Sequence, residues 1–289
     1  MGWLISVGGA VLVSVVLREL FQTLWHPSGR GRFDEWVPRA LWRVSGRGGR
    51  RLSTVTGPLS LLLVVLSWVV LTVLGWALVY WPHVPSSFSF GTGLQPGTRA
   101  DLLDSVYLSA VTLTTLGFGD VVPTAGWLRL AVPLEALIGF AILTAAVSWG
   151  LQVQPALTRR RVLATRLDQL RRAGAVEQLP ALHPTAGADL LFDLAGAIAQ
   201  TTVDLTQYAV TFWFRDAGSS SSLPASIGTA QDLARRGSTA EHAELRLAAG
   251  TLTAALSDLA RLLDDQFLHA GGDTADVLAA YATAHGHPA

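Results

Sequence analysis

Three stretches in the first half of the chain have the hydrophobic pattern of membrane helices. The clearest is 58–81, which holds 24 consecutive residues without a charged side chain. As a helix it would be about 36 Å long, enough to cross a hydrocarbon core of about 30 Å. Pro58 is expected at the first helical position, and Tyr80 and Trp81 at the membrane interface.

The other two stretches are less uniform. Residues 127–150 include Arg129, Glu135 and a central Gly139, and such residues are costly in lipid unless protein or water satisfies them. We therefore expect this helix to face protein or an aqueous space.

Residues 2–25 are predicted to be a retained transmembrane helix. The alternative is a signal peptide, but the positive start and small-residue cleavage site of one are both missing.

The arginines predict the orientation of these helices. Seven lie between the first two hydrophobic stretches, whereas the loop 82–126 has only Arg99. More arginines follow the last stretch, beginning with Arg159, Arg160 and Arg161. The positive-inside rule therefore places the arginine-rich loop and the C-terminal tail in the cytoplasm, and the N-terminus outside.

Part of the arginine-rich loop has a helical stripe of apolar residues, with arginines on its other faces. This pattern is typical of an amphipathic helix on the inner leaflet, where arginines meet anionic lipid headgroups. The alternative is a solvated linker. The arginines expected to contact anionic lipid, in this loop and after the last hydrophobic stretch, are Arg39, Arg43, Arg47, Arg159, Arg160 and Arg161.

Composition narrows the possible chemistry. The chain has no cysteine, which excludes disulfides, thiol catalysis and cysteine-based metal sites. Its 21 basic residues balance 21 acidic ones, so no basic field indicates a nucleic-acid partner. The sequence motifs of serine hydrolases, zinc proteases and P-loop enzymes are absent, and no enzymatic activity is predicted. The five tail histidines lack metal-ligand spacing and are expected on the surface.

The loop between the second and third predicted spans contains a distinctive segment. Residues 101–114 have apolar side chains at helical spacing, over a length too short to span a bilayer, which predicts a re-entrant helix. The next residues read Thr115-Leu116-Gly117-Phe118-Gly119-Asp120. An outer helix, a re-entrant helix, a TxGxGD segment and an inner helix therefore follow one another.

In this order of elements the chain resembles the pore module of potassium channels. The run TLTTLGFGDVVP carries the resemblance, which covers about residues 58–155. It implies an all-α membrane protein in which four identical chains, a homotetramer, surround one pore. It also implies K⁺ as the permeant ion, and no organic cofactor is predicted.

The resemblance also implies that residues 115–119 form the selectivity filter, the narrow part of the pore that binds the ion. Successive backbone carbonyl oxygens would replace the hydration shell of K⁺, and glycine at alternate positions would relieve the strain of such a ribbon. Leu116 and Phe118 would point away from the axis and wedge the filter against the pore helix. The ion-binding residues would be Thr115, Leu116, Gly117, Phe118 and Gly119, with the K⁺ ligands on the first four.

Two positions next to the ion path need a separate interpretation. Asp120 at the outer mouth could attract cations, or it could be a structural partner of the filter backbone. Phe118 stands where the commonest form of the motif has tyrosine. Because phenylalanine cannot donate a hydroxyl hydrogen bond to the pore-helix surround, a less rigid outer filter is expected.

The inner helix contributes the remaining candidates. Gly139 lies where the family has its hinge glycine, and close helix packing explains a glycine there equally well. Leu143 and Val147 are predicted to line the cavity. Glu135 is expected to be a hydrogen-bonded brace behind the filter or a partner for Arg129, with a gating proton sensor as the alternative.

The tail has the pattern of a helical bundle that either binds a regulator or assembles subunits. The first of its helices is expected to continue the inner helix. Its predicted helices are 158–173, 185–215, 226–236, 239–270 and 274–285. The predicted domains are an N-terminal transmembrane helix (1–26), an arginine-rich linker (27–57), a pore domain (58–155) and a cytoplasmic helical domain (156–289).

The predicted function is a potassium-selective channel in a bacterial inner membrane that conducts K⁺ passively. Two alternatives remain open. One is a weakly selective cation channel. The other is a membrane-anchored helical sensor whose pore does not conduct.

Overall fold

The computed structural model describes residues 2–25, 50–91, 101–216 and 218–288. These residues form two compact units: one contains 2–25 and 59–151, and the other contains 50–58 and 152–288. The main elements are α1 (Gly2–Trp25), α2 (Arg50–Tyr80), β1 (Phe88–Phe90), α3 (Leu102–Leu113), β2 (Val121–Pro123), α4 (Leu128–Arg172), α5 (Ala175–Gln178), α6 (Pro184–Gln207), α7 (Leu223–Ser238), α8 (Ala243–Leu263) and α9 (Thr274–Ala284). The predicted all-α class is confirmed.

Three of the described helices are long and apolar enough to cross a membrane, and they coincide with the three predicted spans. We call α2 the outer helix, α3 the pore helix and α4 the inner helix. The outer helix begins at Arg50, so Pro58 lies inside it and not at its first position. A proline inside a helix removes one backbone hydrogen bond. The residue before it, Gly57, packs against Phe214 so closely that a Cβ on Gly57 would overlap the phenylalanine ring.

The N-terminal helix α1 packs directly against the outer helix, a placement that the sequence left open. Gly9 and Gly75 lie at the crossing, where a Cβ on Gly9 would overlap the carbonyl oxygen of Gly75. Close backbone approach at small residues is a common way for membrane helices to associate. The Ser6 hydroxyl also donates to the carbonyl oxygen of Val79 at 3.0 Å.

The tail unit has one hydrophobic core, built mainly from α6, α7 and α8. Leu191, Ile198, Leu233 and Leu252 are completely buried in it. The tail is therefore a helical bundle, as predicted. The inner helix continues without a break to Arg172, and this continuation was also predicted.

Two predicted tail helices are too long. The helix predicted for 185–215 ends at Gln207, because Tyr208 leaves the helical conformation with φ −127° and ψ 66°. The next residues form a short 3₁₀ segment, Ala209–Trp213, which buries Phe212 in a stack on Phe267 with ring centroids 4.2 Å apart. The helix predicted for 239–270 is α8 with a π-helical turn after it (264–268).

The three consecutive arginines of the inner helix, 159–161, bind residues of the tail. Arg160 has only 3% of its side chain exposed and donates to the carbonyl oxygens of Thr211 at 2.6 Å and Phe214 at 2.9 Å. Its guanidinium also lies 3.3 Å from the Asp216 carboxylate, which is equally buried. The expectation that Arg160 faces lipid headgroups is therefore wrong, because the side chain is enclosed by protein.

The two neighbours of Arg160 also pair with tail aspartates. Arg159 makes a bidentate ion pair with Asp204, with both distances 2.7 Å. Arg161 lies 2.7 Å from Asp216. The other predicted lipid contacts, Arg39, Arg43 and Arg47, lie outside the described residues.

One tail histidine is not on the surface. His285 has 8% of its area exposed, and its two ring nitrogens face the carbonyl oxygens of Tyr281 at 3.0 Å and Phe212 at 2.9 Å. Burial lowers its pKa to about 4, since a charged imidazolium loses its hydration there. The expectation of a solvated surface was wrong for this histidine.

Candidate functional site

The pore helix has a defined start and end. The Asp101 side chain caps it by accepting the backbone N–H of Asp104 at 2.9 Å. The helix ends at Leu113 after 12 residues, too short to span a bilayer. Ser105, Ser109 and Val111 are buried along its length. This agrees with the short helix predicted for 101–114.

The segment after the pore helix has an alternating backbone conformation. Thr115, Gly117 and Gly119 have positive φ values of 59°, 53° and 75°, whereas Leu116 and Phe118 between them do not. Glycine adopts this conformation without a steric cost, but a β-branched threonine does so only under strain. Strained backbone of this kind is concentrated at functional sites.

This segment is attached to its own pore helix through backbone hydrogen bonds. The carbonyl oxygen of Val111 accepts the N–H groups of Leu116 at 3.0 Å and Gly117 at 3.3 Å, and the N–H of Thr115 bonds the carbonyl oxygen of Thr112 at 2.9 Å. The position of the last turn of the pore helix therefore sets the position of the filter segment.

The filter segment can offer a cation only a restricted set of oxygens. Leu116, Gly117, Phe118 and Gly119 carry no polar side chain. Any ligands from the segment are therefore backbone carbonyl oxygens and the Thr115 hydroxyl, which are suitable ligands for a hard monovalent cation.

The side chains of the filter segment are not covered by their own chain. Leu116 is 62% exposed and Phe118 is 66% exposed. Nothing lies within 4 Å of a Cβ built on Gly117 or Gly119. Within one chain, Leu116 and Phe118 therefore do not wedge the filter against the pore helix as expected.

Asp120 is held by the pore helix. The Tyr107 hydroxyl donates to Oδ2 of Asp120 at 2.7 Å. The carbonyl oxygen of Asp120 accepts the N–H of Gly91 at 2.7 Å, next to the antiparallel pair Phe90–Val121. Of the two interpretations offered by the sequence, a structural role for Asp120 is the one that these contacts match, although its side-chain partner is Tyr107 and not the filter backbone. Tyr107 lies within the apolar pattern of 101–114, and its phenolic hydroxyl was the signal for this contact.

The inner helix approaches the pore helix closely at Gly139. A Cβ there would overlap the backbone of Leu113, including its carbonyl oxygen. Close packing therefore explains a glycine at this position, and the hinge role stays a prediction.

A cavity of about 240 Å³ lies beside this contact. Thr115, Gly139 and Leu143 line it, together with Val65 and Val69 of the outer helix. Leu143 and Val147 are 63% and 55% exposed in the single chain, and their role in a central cavity stays a prediction.

Glu135 lies between three helices and is completely buried. Its Oε2 accepts the Tyr80 hydroxyl at 2.6 Å, and its Oε1 accepts the Ser109 hydroxyl at 2.5 Å. Arg129 is exposed, so it does not partner this buried carboxylate. The hydrogen bonds are those expected of a brace between the outer, pore and inner helices.

Fold and site together define a class of protein: a membrane protein in which a re-entrant pore helix and a filter segment lie between two spanning helices. Residues 66–153 match the family described as ion channel. The chain belongs to this ion-channel family, whose pore module is of the two-transmembrane potassium-channel type.

The chain is also similar to three curated proteins. Protein LctB of Geobacillus stearothermophilus is 34% identical over 110 residues, which are 35% of this chain and 74% of LctB. LctB of Bacillus caldotenax is 33% identical over 107 residues, with the same coverage. The uncharacterized membrane protein YdjJ of Bacillus subtilis is 30% identical over 177 residues, 60% of this chain. The match spans half the length of YdjJ. No solved structure matches the chain significantly.

Proposed function

We propose that the protein is a potassium-selective channel in which four copies of the chain surround one pore and K⁺ moves passively down its gradient. The main support is the conformation of residues 115–119. Left-handed residues at alternate positions allow successive carbonyl oxygens to face one side, which a carbonyl-lined filter requires. The hydrogen bonds from Leu116 and Gly117 to Val111 hold that ribbon on the pore helix.

The exposure of the ribbon supports an assembly of several copies. Irregular backbone at membrane depth is tolerated only inside protein or along a water-filled path, because lipid cannot bond its polar groups. One chain leaves the ribbon open, with Leu116 and Phe118 uncovered. Neighbouring copies would cover these side chains and complete a ring of oxygens. The number four comes from the resemblance to potassium channels.

Ion flux through the full-length protein tests this proposal. Purified protein is reconstituted in planar bilayers between K⁺ on one side and Na⁺ on the other, and the reversal potential is measured. We expect a large reversal potential, with the K⁺ side negative. A value near zero would indicate a weakly selective cation channel. No current from tetramers of correct mass would favour a non-conducting membrane-anchored sensor.

A pair of glycine variants connects the current to the filter. Gly117→Ala places a side chain on a residue with φ 53°, so it should abolish K⁺ selectivity or current. Gly126→Ala is the matched control, because no atom lies within 4 Å of the new Cβ and φ is not positive. Native mass spectrometry of both variants reports whether four chains still assemble. The same measurement on the unaltered protein tests the proposed pore, which a trimer or a dimer would refute.

The arginine distribution supports an orientation in the membrane. We propose the inner membrane of a bacterium, with the N-terminus outside, the tail in the cytoplasm, and Arg39, Arg43 and Arg47 near anionic headgroups. Because the chain has no cysteine, single cysteines report the topology cleanly. An impermeant thiol reagent on spheroplasts should label Ser86→Cys in the outer loop and leave Ser219→Cys in the tail unlabelled. The reverse pattern would overturn the orientation.

A further inference from the structure

The geometry points to a positioning role for Glu135, in which it works together with Gly139. We name these two inner-helix residues the pore-helix anchor. They fix the last turns of the pore helix against the inner helix, and thereby hold the filter segment in the conformation that selects K⁺. This inference rests on the proposed function and deepens it. Neither residue is among the proposed ion ligands.

The first contact of the anchor is polar. The Glu135 carboxylate accepts one hydroxyl on each oxygen, from Ser109 of the pore helix and from Tyr80 of the outer helix. All three side chains are completely buried. Tyr80 is itself held between Trp76, with ring centroids 5.7 Å apart, and Phe88, at 6.1 Å. The carboxylate therefore joins the pore helix to a fixed point on the outer helix.

The second contact is steric. Gly139 lies four residues after Glu135 and therefore on the same face of the inner helix. Its missing side chain lets the inner helix touch the backbone of Leu113, the last residue of the pore helix. The two contacts lie one helical turn apart on both helices, at 135 and 139 on one and at 109 and 113 on the other.

The filter segment is hydrogen-bonded to the residue that lies between these two contacts. Val111 lies midway between Ser109 and Leu113, and its carbonyl oxygen accepts the N–H groups of Leu116 and Gly117. A shift of this turn would move the acceptor of both filter amides at once. The anchor thus acts on the filter through a single carbonyl group.

A carboxyl group suits this position because each of its two oxygens can accept a hydrogen bond. Two hydroxyls from different helices can donate to it without competing for one atom. In a water-poor interior, removing the acceptor would leave both hydroxyls unpaired. Removing one donor would leave the other contact intact, which makes single-donor variants milder than a change of Glu135.

Two serines of the pore helix provide a matched test. Ser109 and Ser105 are both completely buried, but the Ser105 hydroxyl faces the carbonyl oxygen of Asp101 in its own N-terminal turn. Hydrogen exchange of the 114–119 amides is measured on the full-length assembly in KCl. We expect exchange to rise about threefold or more in Ser109→Ala and in Tyr80→Phe, and to stay unchanged in Ser105→Ala. Glu135→Ala should have a larger effect if it assembles.

The permeability ratio of K⁺ over Na⁺ provides the second readout. We expect it to fall in Ser109→Ala and Tyr80→Phe and to stay at the native value in Ser105→Ala. Native exchange and a native ratio in both single-donor variants would overturn the anchor while leaving the potassium channel intact. If the unaltered protein shows no K⁺ selectivity, the proposed function fails, and the exchange comparison still decides whether Glu135 positions this segment.

Discussion

The hydroxyl of Tyr107 donates a hydrogen bond to Oδ2 of Asp120 over 2.7 Å, so the pore helix holds the residue that follows the filter. Phe118, inside the filter, has no hydroxyl to make such a bond. Tyr107 therefore supplies from the pore helix a polar restraint on the outer end of the filter. This contact gives Asp120 a structural role in addition to any attraction of cations.

We predict that Tyr107→Phe and Asp120→Ala destabilise the outer filter to a similar extent, each by about 1 kcal/mol. The reason is that each change removes one partner of the same hydrogen bond. The double variant should lose little more than either single variant, which a double-mutant cycle on the rate of current decay would measure. If Asp120 acts only by attracting cations, Asp120→Ala will lower the conductance and Tyr107→Phe will leave both conductance and decay unchanged.

A second prediction separates the two interpretations of Gly139. If packing against Leu113 requires this glycine, Gly139→Ala should lower the thermal stability of the assembly, because overpacking typically costs about 1–3 kcal/mol. If Gly139 serves only as a hinge, alanine should stabilise the helix by up to about 1 kcal/mol and alter gating alone. Thermal unfolding in detergent, followed by loss of the proposed tetramer, distinguishes the two.

The control for this prediction lies on the same helix. A Cβ on Gly150 meets nothing within 4 Å, so Gly150→Ala should leave the unfolding temperature unchanged or raise it slightly. An unfolding temperature for Gly139→Ala that equals that of Gly150→Ala would contradict the packing interpretation and leave the hinge.

The pore could be predicted from sequence because its signals are local. The glycine spacing at 117 and 119 reflects a backbone requirement, and the short helix before it could not be a span. The buried state of Glu135 followed in the same way from its place in an apolar helix. Each of these inferences needs only a few neighbouring residues and the properties of the bilayer.

What the sequence did not predict depends on contacts between distant residues. The bond from Tyr107 to Asp120 requires the filter to turn back along its own pore helix. The end of α6 at Gln207 has no local breaker, and burial of Phe212 against Phe267 explains it only after folding. His285 did carry a signal, since it continues the buried positions Leu278 and Tyr281 at helical spacing.

A third prediction concerns the buried ion pair of the tail. Asp216→Ala removes the carboxylate facing Arg160 and leaves that guanidinium buried with only backbone acceptors. Removing one member of a buried pair typically costs about 3–5 kcal/mol. We therefore expect the tail to unfold at a lower urea concentration, with hydrogen exchange of Ala209–Trp213 rising first.

The matched control is an exposed aspartate on α7. Asp232 pairs with Arg235 across one helical turn, with side chains 51% and 76% exposed. Exposed pairs of this kind contribute about 0–1 kcal/mol, so Asp232→Ala should leave the urea midpoint nearly unchanged. Equal midpoints for the Asp216 and Asp232 variants would show that the buried pair does not stabilise the tail.

The last prediction is a dependence of tail stability on pH. Burial, with a smaller contribution from the charges of Arg160 and Arg215, lowers the pKa of His285 from about 6.5 to about 4. Between these values the unfolded chain binds a proton that the folded tail does not, so the free energy of unfolding falls as the pH falls from about 6.5 to about 4. The loss attributable to this group is at most about 3 kcal/mol.

Urea titrations at several pH values, read by hydrogen exchange of α9, measure this decline. We expect the full decline in the native protein and in His242→Gln, which changes an exposed histidine and serves as the control. We expect a smaller decline in His285→Gln. An identical decline in all three proteins would mean that other groups determine the acid sensitivity of the tail.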